Sequence, residues 1–469
     1  MCQTSVPILR RGSCRVGRLL VWRSRRKRRE RDHCRRRRWL RTAQHPRQHR
    51  SRRATLGATG GSEGGPARGG SLDAFSSRPF ALFWSTIVLS LTGVWIRITA
   101  QGYLVYDLTN DEFLLGLVSF CQAAPVLIAS PLAGAVLDRV DRRRVLLLVQ
   151  VVQASAVLLL AILTSAGAVR VWHIMVIAVV VGTASGFDWP ARLSFMPTLV
   201  PREHLGSAVA WNSAAFNGSR VIGPVIGGFV IALVGVAACF YLTAALYLPF
   251  VLVLATLAVD RSLPDSPRAA GAFDDLLEGY RYIWRNGTIR SLLSVDIVPL
   301  MFGVTYFTLA PAVARDVLGL GGRGLGVLLA VNGVGSLAGT LGVASVVGRA
   351  RRRGRIVVAG VGCFGAVLIL FALSSNVILS AALILLLGLV VAVYGTLNDT
   401  LVQTLVDDAY QGRVLAVYSM FWGLTPIGAL EAGFLANRIG VQAALAINGV
   451  LVLAYVPVLL RYTPLRSLD

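Results

Sequence analysis

The chain of 469 residues is 55% hydrophobic and only 15% charged, with a mean hydropathy of +0.65. A soluble domain carries about 25% charged residues, so this balance excludes an ordinary water-soluble globule and makes lipid the main solvent. The net charge of +24 is unevenly placed, because about 20 of the 47 basic residues fall in the first 53 positions.

Residues 1–72 join an arginine-rich part, "RSRRKRRERDHCRRRRW", to a glycine-rich part, "LGATGGSEGGPARGG". Neither has an apolar period, so a disordered tail is expected. No apolar run follows the charges as a signal peptide requires. The tail reads either as a tether to nucleic acid or anionic lipid, or as an extension from a misassigned translation start. The second reading is preferred, because arginine runs without stacking aromatics specify little in nucleic acid. His33, Cys34, His45 and His49 are ligand types at no zinc-module spacing, and the six cysteines form no CxxC pair. No metal and no cofactor are expected.

From Phe80 onward, apolar runs of about 20 residues follow one another, the length of a helical crossing. They lack the alternation that a β-barrel needs. Spans are expected at about 80–103, 113–136, 145–167 and 172–196. A double crossing then starts near Ser207 and turns at Gly235. A polar segment, 260–290, contains "FDDLLEGYRYIW", which places Phe273, Leu276, Leu277, Tyr280 and Trp284 on one face of an interfacial helix. Further spans are expected at about 291–312 and 324–347, a double crossing over 356–398 turning at Ser374–Asn376, and spans at 412–436 and 440–460. The expected fold class is an all-α membrane protein: twelve transmembrane helices in two six-helix halves, 73–259 and 291–469, with 260–290 as a linker. One chain completes this fold, and a monomer is expected.

Arginine sits in alternate loops, "DRVDRRR", "RSLPDSPR" and "GRARRRGR", while "DLTNDE" and "SAGAVR" are nearly free of it. The positive-inside rule then puts both termini on the cytoplasmic side of the cell (inner) membrane. Residues 114–145 also align with 324–355, Gly116 falling on Gly326, Arg139 on Arg349, and Arg142 and Arg143 on Arg352 and Arg353. Two parallel repeats with a substrate site between them near the bilayer midplane are implied.

Three features carry a mechanism. In the loop after span 2, Gly134, Asp138, Arg139, Arg142, Arg143 and Arg144 form "GxxxDRxxRRR". A carboxylate at a helix C-terminus is unfavourable, so Asp138 needs the arginines or the positive N-terminus of another helix. Without that role, the arginines alone would make a plain topology anchor. In span 5, Ser219, Gly223, Pro224, Gly227 and Gly228 ("SRVIGPVIGG") combine close helix packing with a proline bend. Third, Arg97, Asp188, Arg192, Arg220, Asp296 and Glu431 fall inside predicted spans. Each charge there costs about 2.5–3.5 kcal/mol and needs an interior partner. A hairpin of spans 4 and 5 would pair Asp188 with Arg220, Arg192 competing one turn away.

The loop motif resembles the signature of the major facilitator superfamily. The glycine–proline motif is similar to that of the superfamily's exporters, with Ser219 where glycine is usual. The stretches from Phe187 to Gly228 and from Asp407 to Gly440 look like the branch of enterobactin exporters and macrolide-efflux proteins. The likeness covers about residues 73–465. It implies a latch between Asp138 and span 11, with Arg413 as a partner. Glu431 departs from that branch, where an uncharged residue is usual.

These readings lead to a secondary transporter exporting a small amphipathic compound, a drug-like molecule or a siderophore, by proton antiport. Asp188 is the expected proton carrier, with Asp296 and Glu431 as alternatives. The expected partners are a small-molecule substrate, protons and the lipid bilayer, with no nucleic acid. An importer of the same fold is the rival within transport, and a membrane-anchored nucleic-acid-binding protein is the rival from another class. No GxxxxGK[ST] loop and no nucleophile–base pair is visible, so neither an ATP-driven pump nor an enzyme is expected.

Overall fold

The computed structural model describes residues 73–137, 139–257, 272–346, 353–407, 410, 413–414, 417–418, 421 and 424–462. The tail, Asp138, Arg349 and Arg352, and the side chains of Phe273 and Leu276, lie outside the described residues. Eleven of the described helices are long and apolar enough to cross a membrane. They are α1 Arg78–Thr109, α2 Glu112–Leu137, α3 Arg142–Ser165, α4 Val171–Phe195, α5 Leu205–Leu233 and α6 Val236–Thr256, then α7 Gly287–Val317, α8 Gly322–Val346, α9 Arg353–Leu373, α10 Val377–Leu405 and, after α11, α12 Val441–Tyr462. Span 11 is described as a continuous helix only over α11, Thr425–Ile439.

Local chemistry sets the boundaries. Asn110 closes α1 in the left-handed region, φ 48°, with its N–H on the Tyr106 carbonyl, a conformation asparagine tolerates better than most residues. Asp141 starts α3 by accepting the Arg143 N–H, and Asn376 starts α10 by accepting from Ile378 and Leu379. Gly235 (φ 102°) makes the tight turn expected between α5 and α6. In α7, two π-helical turns, Pro299–Gly303 and Val313–Val317, interrupt the α-helix, a form that recurs at functional sites.

The packing repeats at a six-helix interval. In the first half α2 packs on α4, α3 on α4 and α6, and α1 on α5 and α6. In the second half α8 packs on α10, α9 on α10 and α12, and α7 on α11. The halves meet where α2 packs on α11 and α5 on α8. Among the described residues, the backbone close approaches there fall from mid-helix toward the end carrying the α1–α2 turn: Gly116 against Ala429 and Gly433, Gly228 against Gly326, and Gly333 against Val221. Polar contacts seal that end: Arg315 to Asp107 at 3.4 Å, Asn437 to Asp111 at 3.0 Å, and Tyr106 to Asp316. Near the α2–α3 loop, by contrast, Gly134 has open space around its α carbon and Arg139 is exposed.

Between the halves, the linker helix Ala272–Arg285 turns Leu277, Tyr280 and Trp284 outward, all exposed. Its other face docks by Gly279 against the Arg413 backbone and by Tyr282, stacked on Tyr410 at 4.5 Å. An aromatic face presented outward suits a membrane surface.

Candidate transport site

The first half buries a polar network around Asp188. Arg192 Nε lies 2.8 Å from Asp188 Oδ2, and Gln150 donates to Asp188 Oδ1 at 2.6 Å and accepts from Ser90 at 3.2 Å. Arg192 also reaches Ser90 and lies over the Phe250 ring. The expected Asp188–Arg220 pair is therefore corrected: the neighbour one helical turn away holds Asp188. The hairpin premise fails because α4 packs on α2 and α3, whereas α5 packs on α1, α6 and α8. Spans 4 and 5, though consecutive in sequence, are not packing partners.

Arg97 is buried and donates to Gln101 at 2.7 Å and Gln122 at 3.0 Å. These glutamines help line a cavity of about 200 Å³ between α1, α2, α7 and α8, whose far wall includes Phe307 and Pro311. Arg220 lies elsewhere, with its guanidinium 5.7 Å from the Trp95 ring centroid. Trp95 in turn makes edge contacts with Phe216 at 6.2 Å and with Phe307 of the other half at 6.1 Å.

The α5 small-residue motif serves two interfaces. Ser219 shares a hydrogen bond with Thr92 at 3.2 Å, and a side chain at Gly223 would strike Trp95 and the Thr92 carbonyl. Buried Pro224 and Gly227 continue this side, Gly227 facing Ile96. Gly228 turns instead to α8 and Gly326. The motif thus sets the spacing both within a half and between halves.

In the second half, Asp296 accepts from Asn398 at 2.7 Å and from the Tyr418 hydroxyl at 2.5 Å, and the same hydroxyl lies 2.8 Å from Asp399. Among the described residues, neither aspartate has an ion-pair partner. Glu431 is half-buried and accepts from Asn448 at 3.3 Å, which also donates to Thr305 at 3.0 Å.

The loop arginines act on helix ends. Arg142 donates to the Ser194 carbonyl in the last turn of α4 at 3.0 Å. Arg143 donates to the carbonyls of Leu254 and Ala255, in the last turn of α6, at 2.5 and 2.6 Å. These carbonyls have no helical partner and carry the negative end of the helix dipole, so cations fit there. Arg144 lies 3.9 Å from Asp141 with most of its side chain exposed. Arg413, expected near Asp138, pairs with Glu278 of the linker helix at 3.0 Å.

Sequence reading missed Asp399, Tyr418 and the glutamines. Asp399 fell one residue beyond the apolar run 356–398, although α10 continues to Leu405. The glutamines carry no charge to attract notice inside a span.

A helical chain in two repeated halves, with buried ionisable groups and a cavity at their junction, is a secondary transporter fold of the major facilitator superfamily. The chain belongs to that superfamily's transmembrane secretion effectors, whose family profile matches residues 69–469; it is a membrane transporter and not an enzyme. Relatives include the staphyloferrin A transporter of Staphylococcus aureus, 26% identical over 78% of this chain and 92% of that protein. The multidrug efflux pump Tap of Mycolicibacterium fortuitum is 28% identical over 78% and 91%, and macrolide efflux protein A of Streptococcus pyogenes is 22% identical over 83% and 97%. Among solved structures, a D-xylose–proton symporter superposes with TM-score 0.66 at 15% identity, over 84% of this chain and 99% of that one. That likeness shows the fold alone.

Proposed function

We propose that this protein exports a small amphipathic compound across the cytoplasmic membrane in exchange for protons. The α2–α3 loop end and both termini face the cytoplasm, so the end closed by the Arg315–Asp107 and Asn437–Asp111 contacts faces outward. The export direction is supported by the relatives named for efflux and by the glycine–proline motif of α5.

The observation that carries proton coupling is the contact of Tyr418 with both Asp296 and Asp399. A phenol has one proton to donate. With both carboxylates ionised, one of the contacts would set oxygen against oxygen with no hydrogen between them. A proton on one carboxyl completes the bridge, and among the described residues no arginine or lysine supplies the compensating charge. Two acids that titrate as a coupled pair can take up and release that proton as access alternates. Asp188, held by Arg192, is the poorer carrier, and Glu431 stands as a second acid on α11. Asp138 and its arginines gate the cytoplasmic side.

Full-length protein in liposomes, loaded with a pH-sensitive dye, tests this reading. Compounds exported by the wild type are expected to move protons the opposite way. Asp296→Asn with Asp399→Asn is expected to abolish that proton movement, and unchanged proton movement in the double variant would reject the assignment.

A further inference from the structure

The three arginines set inside the first-half spans are not equally satisfied. Arg192 has Asp188, and Arg97 has the oxygens of Gln101 and Gln122. Among the described residues Arg220 has no oxygen partner, only the face of Trp95 beneath it. Its side chain is half-buried, near the middle of α5. A guanidinium stacked on an indole keeps its N–H edge free for a planar acceptor.

A second unspent donor lies on α7, the hydroxyl of Tyr306, whose ring abuts the same Phe307 that Trp95 touches. Asn332 donates to this oxygen at 3.0 Å and is itself fixed by the Ile384 carbonyl at 3.1 Å. With its oxygen already accepting, the Tyr306 hydroxyl has a proton and no described acceptor for it. The acids of the second half are engaged elsewhere, Asp296 by Tyr418 and Asn398, and Glu431 by Asn448. A cation and a neutral donor from opposite halves, neither with an acceptor among the described residues, fit an anion brought in from outside the chain.

We infer that Arg220 and Tyr306 receive the anionic group of the transported compound, which is therefore an organic anion with an apolar or aromatic body. This rests on the export reading above and gives it a substrate class. Trp95 and Phe307, in edge contact across the halves at 6.1 Å, face the body of the compound. The cavity beside Phe307 offers it room. Because Arg220 and Tyr306 belong to different halves, the anion is held only while both are near it, which ties substrate binding to the alternation of the halves.

The test compares naphthoate, naphthamide and naphthylmethylammonium, substituted at the same ring position, by calorimetric titration into full-length protein in detergent without any gradient. The wild type is expected to prefer naphthoate to the amide by about tenfold or more, a charge-assisted hydrogen bond's worth. Arg220→Gln is expected to erase that preference while leaving the amide's Kd within about twofold. Arg220→Lys is expected to keep part of the preference, and Tyr306→Phe to weaken it a few-fold, so these two carry the test if Arg220→Gln does not fold. Equal or stronger binding of the ammonium probe, binding of none of the three, or a preference intact in Arg220→Gln would overturn the inference. Export is not read in this assay. An intact charge preference without proton-driven export would therefore reject only the export reading.

Discussion

Gly228 of α5 and Gly326 of α8 meet backbone to backbone, so closely that a methyl group on either would overlap the other's α carbon. Gly116, which the internal repeat aligns with Gly326, makes the equivalent contact with α11 at Gly433. The repeat has thus placed a glycine at each junction between halves, where only an absent side chain lets the sealed end close. Gly228→Val is expected to hold that end open and to lower transport about tenfold or more, since a small displacement of positioning groups is costly. Hydrogen–deuterium exchange at the α1–α2 and α7–α8 turns should rise. Gly218→Ala, at a position with open space, should leave exchange and transport unchanged.

Asp188 and Arg192 should behave as one unit and Arg220 as another. Asp188→Asn leaves a buried guanidinium without its carboxylate, an expected cost of about 3–5 kcal/mol. Adding Arg192→Gln should recover most of that loss. Combining Asp188→Asn with Arg220→Gln should instead give additive effects, within about 0.5 kcal/mol. Unfolding midpoints of the purified variants measure both cycles, and coupling with Arg220 rather than Arg192 would contradict the observed pairing.

Arg143 and Arg144 are adjacent in sequence but should differ in effect. Arg143→Ala removes two bonds to the last carbonyls of α6 and should cost about 1–3 kcal/mol, the price of charged hydrogen bonds at a helix end. Arg144→Ala loses only a long, exposed contact and should cost less than about 0.5 kcal/mol. Thermal unfolding in detergent would show the difference as a lowered midpoint for the first variant alone.

Tyr418→Phe keeps the ring and removes the hydroxyl between Asp296 and Asp399. It should leave expression and substrate binding near normal while reducing the protons moved per compound exported. A simultaneous measurement of dye response and substrate flux checks this, and an unaltered ratio would count against the bridge.

Much of this architecture was legible because a bilayer imposes a simple rule on sequence. Apolar runs of about 20 residues must become helices, and the expected turns at Gly235 and Ser374–Asn376 fall between α5 and α6 and between α9 and α10. Gly116 and Gly326 were visible as repeat mates, but their contact partners depend on which helices face one another. The error over Arg220 has the same origin: depth in the bilayer follows from counting residues along a helix, whereas adjacency depends on the order of helices around the bundle. The arginine loop stood out in the sequence by its charge, yet the carbonyls that Arg142 and Arg143 hold belong to α4 and α6, far off in sequence. Tyr418 carries no charge at neutral pH, so nothing in its residue type marked it as the bridge between two acids.

The account's central claim, proton-driven export, is tested most directly in inside-out membrane vesicles energised to an acidic interior and reported by a pH-sensitive dye. Addition of a transported organic anion should raise the dye signal as protons leave the lumen while the compound enters it. The effect should vanish with a protonophore and in the Asp296→Asn, Asp399→Asn variant. Compound uptake that proceeds unchanged without a proton gradient, or that requires the opposite gradient, would contradict the account.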